Sequence, residues 1–121
     1  MTASAEVFRQ LVDGVVGKQW DRLPLLYAED AVVEHPFSTD PAVARLEGRA
    51  ALRAHFARAA EMGVDFRADD VVVHETTDPE VVVGEFTYRG TLGDKDITMP
   101  AIFVLRVRDG LIVSSRDYAG G

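Results

Sequence analysis

The chain has no cysteine among its 121 residues, which excludes disulfides, thiolate metal ligands and a cysteine nucleophile together. Basic residues are scarce relative to acidic ones: 13 Lys and Arg against 20 Asp and Glu leave a formal net charge of −7. Affinity for nucleic acid rests largely on cationic side chains that neutralise phosphates, so no nucleic-acid partner is expected. No apolar run approaches the roughly 18 residues of a membrane-crossing helix, so no membrane partner is expected either. The start, Met1-Thr2-Ala3-Ser4-Ala5-Glu6, has neither the basic nor the apolar stretch of a secretory signal, and the expected location is the cytoplasm. P-loop, dinucleotide glycine fingerprint and Gly-x-Ser-x-Gly elbow are all missing, and no cofactor is expected.

What is present fits one domain over residues 1–121, with 47% hydrophobic and 27% charged residues. Val7, Phe8, Leu11, Val15 and Val16 recur at helical spacing behind a capping Ser4, and Gly17 ends that helix. A second short helix is predicted to bury Leu23, Leu25 and Leu26, with Trp20 before it and Tyr27 near its end. Residues 32–37 read as a strand closed by Pro36, and residues 49–62 as a third helix with Leu52, Phe56 and Ala59 on one face. Strands follow at 66–76, 81–91, 95–108 and 111–118, the last two joined by Asp109-Gly110, a strong hairpin signal. Helices first and a strand meander afterwards predict an α+β domain, with helices packed on one face of an antiparallel sheet.

His74-Glu75-Thr76-Thr77-Asp78 has the look of a zinc motif but no second histidine, and it lies in a strand. The helical spacing that aims two ligands at one ion is missing, so no metal site is expected.

The stretch from Trp20 to Phe37, with residues 48–56, 86–90 and 112–120, resembles the ketosteroid-isomerase and SnoaL-like polyketide-cyclase superfamily. That resemblance implies the cone-shaped fold of nuclear transport factor two: three N-terminal helices on a curved antiparallel sheet that encloses a pocket. The ending Arg116-Asp117-Tyr118 looks like that of the SnoaL-like cyclases and their epoxide-hydrolase relatives, whose aspartate points into the pocket. In the isomerases the residue before the matching proline is the aspartate that moves the proton; here it is His35. Their oxyanion-stabilising tyrosine and second aspartic acid fall on Leu11 and Phe103, both apolar. The Arg-x-Asp pair of the epoxide hydrolases falls on Gly84 and Phe86. Neither of those two named activities is implied.

Strand alternation and the family pattern together send Phe86, Tyr88, Met99, Phe103 and Ser115 inward, joined by Leu11, Val15, His55 and Phe56 from the helices. The result is an apolar cavity for a small molecule, with Gly84 leaving room in it. His35 and Asp117 are the candidate catalytic residues. An imidazole titrates near neutrality and serves as acid or base without much tuning. Asp117 reads either as its orienting partner, as the acid–base group itself, or as a surface carboxylate paired with Arg116. Tyr27 and Tyr88 are possible hydrogen-bond donors to a ligand, and equally packing residues. Trp20 reads as a core plug or a stacking aromatic.

The expected function is cofactor-independent acid–base chemistry of the isomerase or cyclase type on an apolar, carbonyl-containing metabolite. The alternative is a non-catalytic ligand-binding or dimerisation module of the same fold. Ile97, Val104 and Ile112 are assigned to the outward side of the last strands, and a two-fold homodimer is expected to cover them.

Overall fold

The amphipathic N-terminal segment forms α1 (Ala3–Val16), capped by Thr2, whose hydroxyl accepts from the Ala5 N–H. Ser4, expected as the cap, lies inside the first turn, buried, and its hydroxyl donates to the Pro79 carbonyl at 3.0 Å. The structure, a computed structural model, describes residues 2–120. Where a second helix is predicted there is only one 3₁₀ turn, Leu23–Leu26. Its tighter period turns Leu25 outward, 56% exposed, while Leu23 is buried against Gly14 of α1.

The chain continues into β1 (Tyr27–Glu34), a short helix α2 (Pro41–Ala44), β2 (Arg45–Glu47) and α3 (Arg49–Glu61). In the sequence, Ser38-Thr39-Asp40-Pro41 reads as a turn before the third helix. Instead Pro41 opens a helical turn and the Asp40 carboxylate caps it by accepting from the Ala42 N–H. Four long strands follow: β3 (Val64–Glu75), β4 (Val81–Leu92), β5 (Lys95–Arg108) and β6 (Leu111–Ala119). Between the last two, Asp109 and Gly110 both adopt positive φ, the geometry a two-residue hairpin turn needs.

The six strands form one curved, unclosed sheet in the order β2-β1-β6-β5-β4-β3. The long strands pair antiparallel as expected, but β1 lies parallel to β6, so the sheet is mixed. This parallel pairing brings the end of β1 beside the end of β6: Val33 faces Ser115 and Glu34 faces Arg116.

Alternation on the strands separates two faces. On the inner face, Val82, Phe86, Ala101, Leu105 and Ile112 meet Ala5, Phe8 and Val12 of α1 in one apolar core. Gly84 is the notch that accepts the Phe8 ring, since a Cβ there would lie 2.1 Å from Cζ. The space over Gly84 expected to receive a ligand is therefore filled by protein.

Two outward assignments are also corrected. Val113 is an extra residue between Ile112, opposite Val107, and Ser114, opposite Arg106. Such a bulge reverses the side on which the strand presents its residues, and Ile112 is fully buried inside. Ile97 shares the strand parity of Met99 and Ala101 and so also belongs to the inner face. The outer face instead carries Val104 with the exposed Ile102 and Val72.

Candidate functional site

His35 lies one residue beyond β1, where Pro36 cannot continue the sheet ladder. α2 holds it in place: the His35 N–H donates to the Ala44 carbonyl at 2.9 Å, and Nδ1 lies 2.6 Å from the Val43 carbonyl. A carbonyl oxygen only accepts, so Nδ1 carries the proton and Nε2 is left for other partners. Nε2 lies 3.7 Å from Oδ2 of Asp117, an ion-pair separation longer than a hydrogen bond. Both can therefore touch the same small group placed beside them.

Asp117 projects inward from β6, opposite Phe103 of β5. Its other oxygen, Oδ1, accepts from the buried Ser115 hydroxyl. Burial penalises the ionised carboxylate and raises the Asp117 pKa from 3.8 to about 6, against the opposing pull of the Ser115 hydroxyl and of His35. The Asp117 carboxyl thus ionises not far below neutrality. His55, from α3, stacks at 5.7 Å between ring centroids from His35. Its own pKa is lowered, chiefly by burial and then by His35 and Arg58, all of which disfavour the charged ring.

These groups border an apolar cavity of about 410 Å³ under the open end of the sheet. Of the residues predicted to line it, Leu11, Val15, His55, Phe56, Tyr88, Met99 and Phe103 do so, alongside His35 and Asp117. Phe86 and Ser115 do not. Phe86 is packed between Phe8 and Phe103 in the core, and Ser115 stands behind Asp117 as its hydrogen-bond donor. The wall also includes Val43, Met62 and Phe66, which sequence reasoning did not place there, and Trp20 and Tyr27, which it offered as a stacking aromatic and a hydrogen-bond donor. Phe66 has the parity of an inward strand residue, a usable signal; Val43 has none, because it arrives through the unpredicted helix α2. Trp20 packs on the core, as a plug would, and also borders the cavity.

Two phenols and Arg58 also line the cavity. The Tyr88 hydroxyl is buried with no hydrogen-bond partner among the described residues. Tyr27 is 2% exposed, and burial, then Asp117, then Tyr88 raise its pKa well above the usual value. Among the described residues no cluster of three or more metal-ligating side chains occurs, and no helix is long and apolar enough to cross a membrane.

Residues 8–115 match the model of the SnoaL-like domain. The chain belongs to that family. It is 35% identical over 95 residues to an uncharacterised PhzA/B-like protein of Pseudomonas aeruginosa, a match covering 77% of this chain and 67% of the relative. Among solved structures, a Bacillus subtilis protein provisionally described as an isomerase superposes with a TM-score of 0.90 at 25% identity, covering 98% of this chain and 86% of that one. A computationally designed 17-OHP binder superposes with a TM-score of 0.81 at 18% identity, covering 100% and 94%. At that identity the second likeness establishes the fold alone. The SnoaL-like match agrees with the resemblance read from residues 20–37 and from the Arg116-Asp117-Tyr118 ending.

Proposed function

We propose that this SnoaL-like protein is a cofactor-independent acid–base enzyme of the isomerase or cyclase type, acting on an apolar carbonyl-containing metabolite. The carrying observation is the meeting of His35 Nε2 and the buried Asp117 carboxylate, 3.7 Å apart, on one apolar cavity. Family membership and the B. subtilis structural relative described as an isomerase support the reaction class.

In this reading neutral His35, its Nδ1–H held by the Val43 carbonyl, takes a proton at Nε2 from the carbon beside the carbonyl. The C–H electron pair moves into the C–C bond and the carbonyl π pair onto oxygen, giving an enolate. Asp117 stabilises the imidazolium across the 3.7 Å gap. Return of the proton to another carbon of the conjugated system completes an isomerisation. Attack of the enolate carbon on a second carbonyl of the same molecule, with proton delivery to the new alkoxide, completes a cyclisation.

The test is deuterium incorporation from D₂O into the acetyl methyl group of 2-acetylnaphthalene, a ketone small enough for the cavity. His35→Ala and Asp117→Asn should each slow exchange by about 10²- to 10⁴-fold, the usual contribution of a positioned acid–base group. The wild-type rate should rise with pH through about 6, where the Asp117 carboxyl ionises. Exchange no faster than in buffer, or unchanged in both variants, overturns the proposal.

The same reading includes a homodimer formed through the outer sheet face, supported by the exposed Val72 and Ile102 there and by the 71%-exposed Phe37, whose ring meets Tyr118 edge to face. Ile102→Glu should convert a sedimenting dimer to monomer; a wild-type monomer at micromolar concentration removes this part.

A further inference from the structure

We infer that the Tyr27 and Tyr88 hydroxyls form a two-donor cradle for one ligand oxygen, so that the cavity selects a ketone-type carbonyl over an isosteric hydrocarbon. Leu11 and Phe103, on the wall of the same cavity, hold the places where the isomerase pattern would put its donors, and neither can donate. The inference rests on the cavity being the ligand site, as proposed above, but not on His35 acting as a base.

A buried hydroxyl left without a partner is costly and calls for an explanation. The Tyr88 hydroxyl is such a group, and its residue borders the ligand cavity. Tyr27 borders the same cavity from β1, and no hydrogen bond to its hydroxyl is found among the described residues. Neither ring is loose. Tyr88 stands between Phe66 and Phe86, with ring centroids at 5.2 and 4.7 Å. The Tyr27 carbonyl accepts two hydrogen bonds from the Arg49 guanidinium, at 3.1 and 2.7 Å, and the ring packs on Phe56. Arg49 thereby acts as a positioning residue for Tyr27.

The charges around the pair favour donors. Burial raises the pKa of both phenols, and the Asp117 carboxylate raises both further. Tyr88 also raises that of Tyr27, and all three residues line the one cavity. Each phenol therefore keeps its proton over the whole physiological range and has one O–H to give. A ketone oxygen offers two lone pairs and suits two such donors. The Asp117 charge disfavours a ligand carboxylate beside the tyrosines, although Arg58 also lines the cavity. The ligand class is therefore a largely apolar ketone or enone whose oxygen reaches the tyrosines while its neighbouring carbon reaches His35.

The experiment compares 2-acetylnaphthalene with 2-isopropenylnaphthalene, in which a CH₂ group replaces the oxygen. Wild type should bind the ketone more tightly and lower its carbonyl stretching frequency below the value in hydrocarbon solvent. Tyr27→Phe and Tyr88→Phe should each weaken ketone binding roughly 3- to 10-fold, the worth of one net hydrogen bond. Each should also return the stretch toward the hydrocarbon value and leave the alkene affinity unchanged. Tyr88→Phe should not lower the unfolding midpoint, because it removes an unsatisfied group. Equal wild-type affinity for the two probes, including none for either, overturns the inference; so do phenylalanine variants that weaken both probes alike or leave the stretch unmoved. Failure of the acid–base reading is separate: the ketone preference and shifted stretch persist while wild type catalyses no deuterium exchange.

Discussion

The two ends of the inner sheet face are built from similar residues and packed in opposite ways. Under the N-terminal half of α1, Phe8 drives its ring into the notch at Gly84 and touches Phe86, leaving no space. Under α3, the facing residues are Ala59, His55 and Phe56, and a cavity of about 410 Å³ remains. At the closed end a large side chain meets a missing one, which is how interiors reach crystal-like density. At the open end a methyl group and two rings held on their own neighbours cannot reach across, and the polar groups of the site border what is left. The contrast separates residues that stabilise the domain from residues that leave it able to bind something.

Removing the ring at the closed end should have the largest effect on stability. Phe8→Ala should cost about 3–5 kcal/mol in urea or thermal unfolding, the range for truncating a fully packed aromatic. Phe8 is 0% exposed, and its notch cannot collapse without moving two strands. A loss below about 1 kcal/mol would mean that the closed end is as slack as the open one.

Next comes a gain. The Asp117 pKa is raised on folding from 3.8 to about 6, so the folded state resists ionisation of this carboxyl. Its contribution is fully favourable below pH 4 and is lost as pH rises through about 6. Asp117→Asn removes that loss and can keep the Ser115 hydrogen bond. The variant should be more stable than wild type above pH 6, by on the order of 2–3 kcal/mol at about 1.4 kcal/mol per pKa unit. The difference should vanish toward pH 4. Paired unfolding curves at several pH values check it, and loss of the proposed activity alongside the gain would mark Asp117 as a residue kept at the expense of stability.

A smaller loss is expected from adding rather than removing atoms at the closed end. Gly84→Ala places a Cβ 2.1 Å from the Phe8 ring, and overpacking of this kind costs typically 1–3 kcal/mol. Because the two residues touch, Phe8→Leu in the same chain should recover part of it, and a double-mutant cycle should show coupling well above 0.5 kcal/mol. Strict additivity would contradict the notch.

The closed end was more legible in the sequence than the open one. Helical spacing of Val7, Phe8 and Leu11, strand alternation and the Asp109-Gly110 turn carry the α+β architecture, because each is a local signal repeated over many residues. His35 and Asp117 were legible only through the family pattern around Pro36 and Tyr118. What was not legible depends on single insertions and on contacts between distant segments. The extra Val113 reverses Ile112, the 3₁₀ turn exposes Leu25, and the parallel pairing of β1 with β6 reports a topology that no residue type encodes. The Val43 carbonyl that fixes the His35 tautomer is a backbone atom in an unexpected helix, so side-chain chemistry could not point to it. Gly84 misled in an instructive way: a missing side chain signals room, but not whose atoms will occupy it.

The smallest stability effect should come from adding volume at the open end. Ala59 lies on α3 with its methyl group on the cavity wall, partly exposed rather than sealed in the core. Ala59→Met introduces a flexible, unbranched side chain that can follow whatever shape the empty space offers. It is also a good helix former, so α3 loses little intrinsic propensity. The unfolding free energy should therefore change by less than about 1 kcal/mol, against the 1–3 kcal/mol expected for the much smaller addition at Gly84. Ligand binding should respond in the opposite proportion, because the methionine takes up space that the ligand needs. Affinity for 2-acetylnaphthalene should fall by roughly tenfold or more, a loss of about 1.4 kcal/mol. His35 and Asp117 are left in place, so the pH at which Asp117 ionises, about 6, should not move. Fluorescence titration of the naphthalene probe and thermal unfolding of the same sample read the two effects side by side. A large stability loss with unchanged binding would show that the space under α3 is packing slack and not a ligand site.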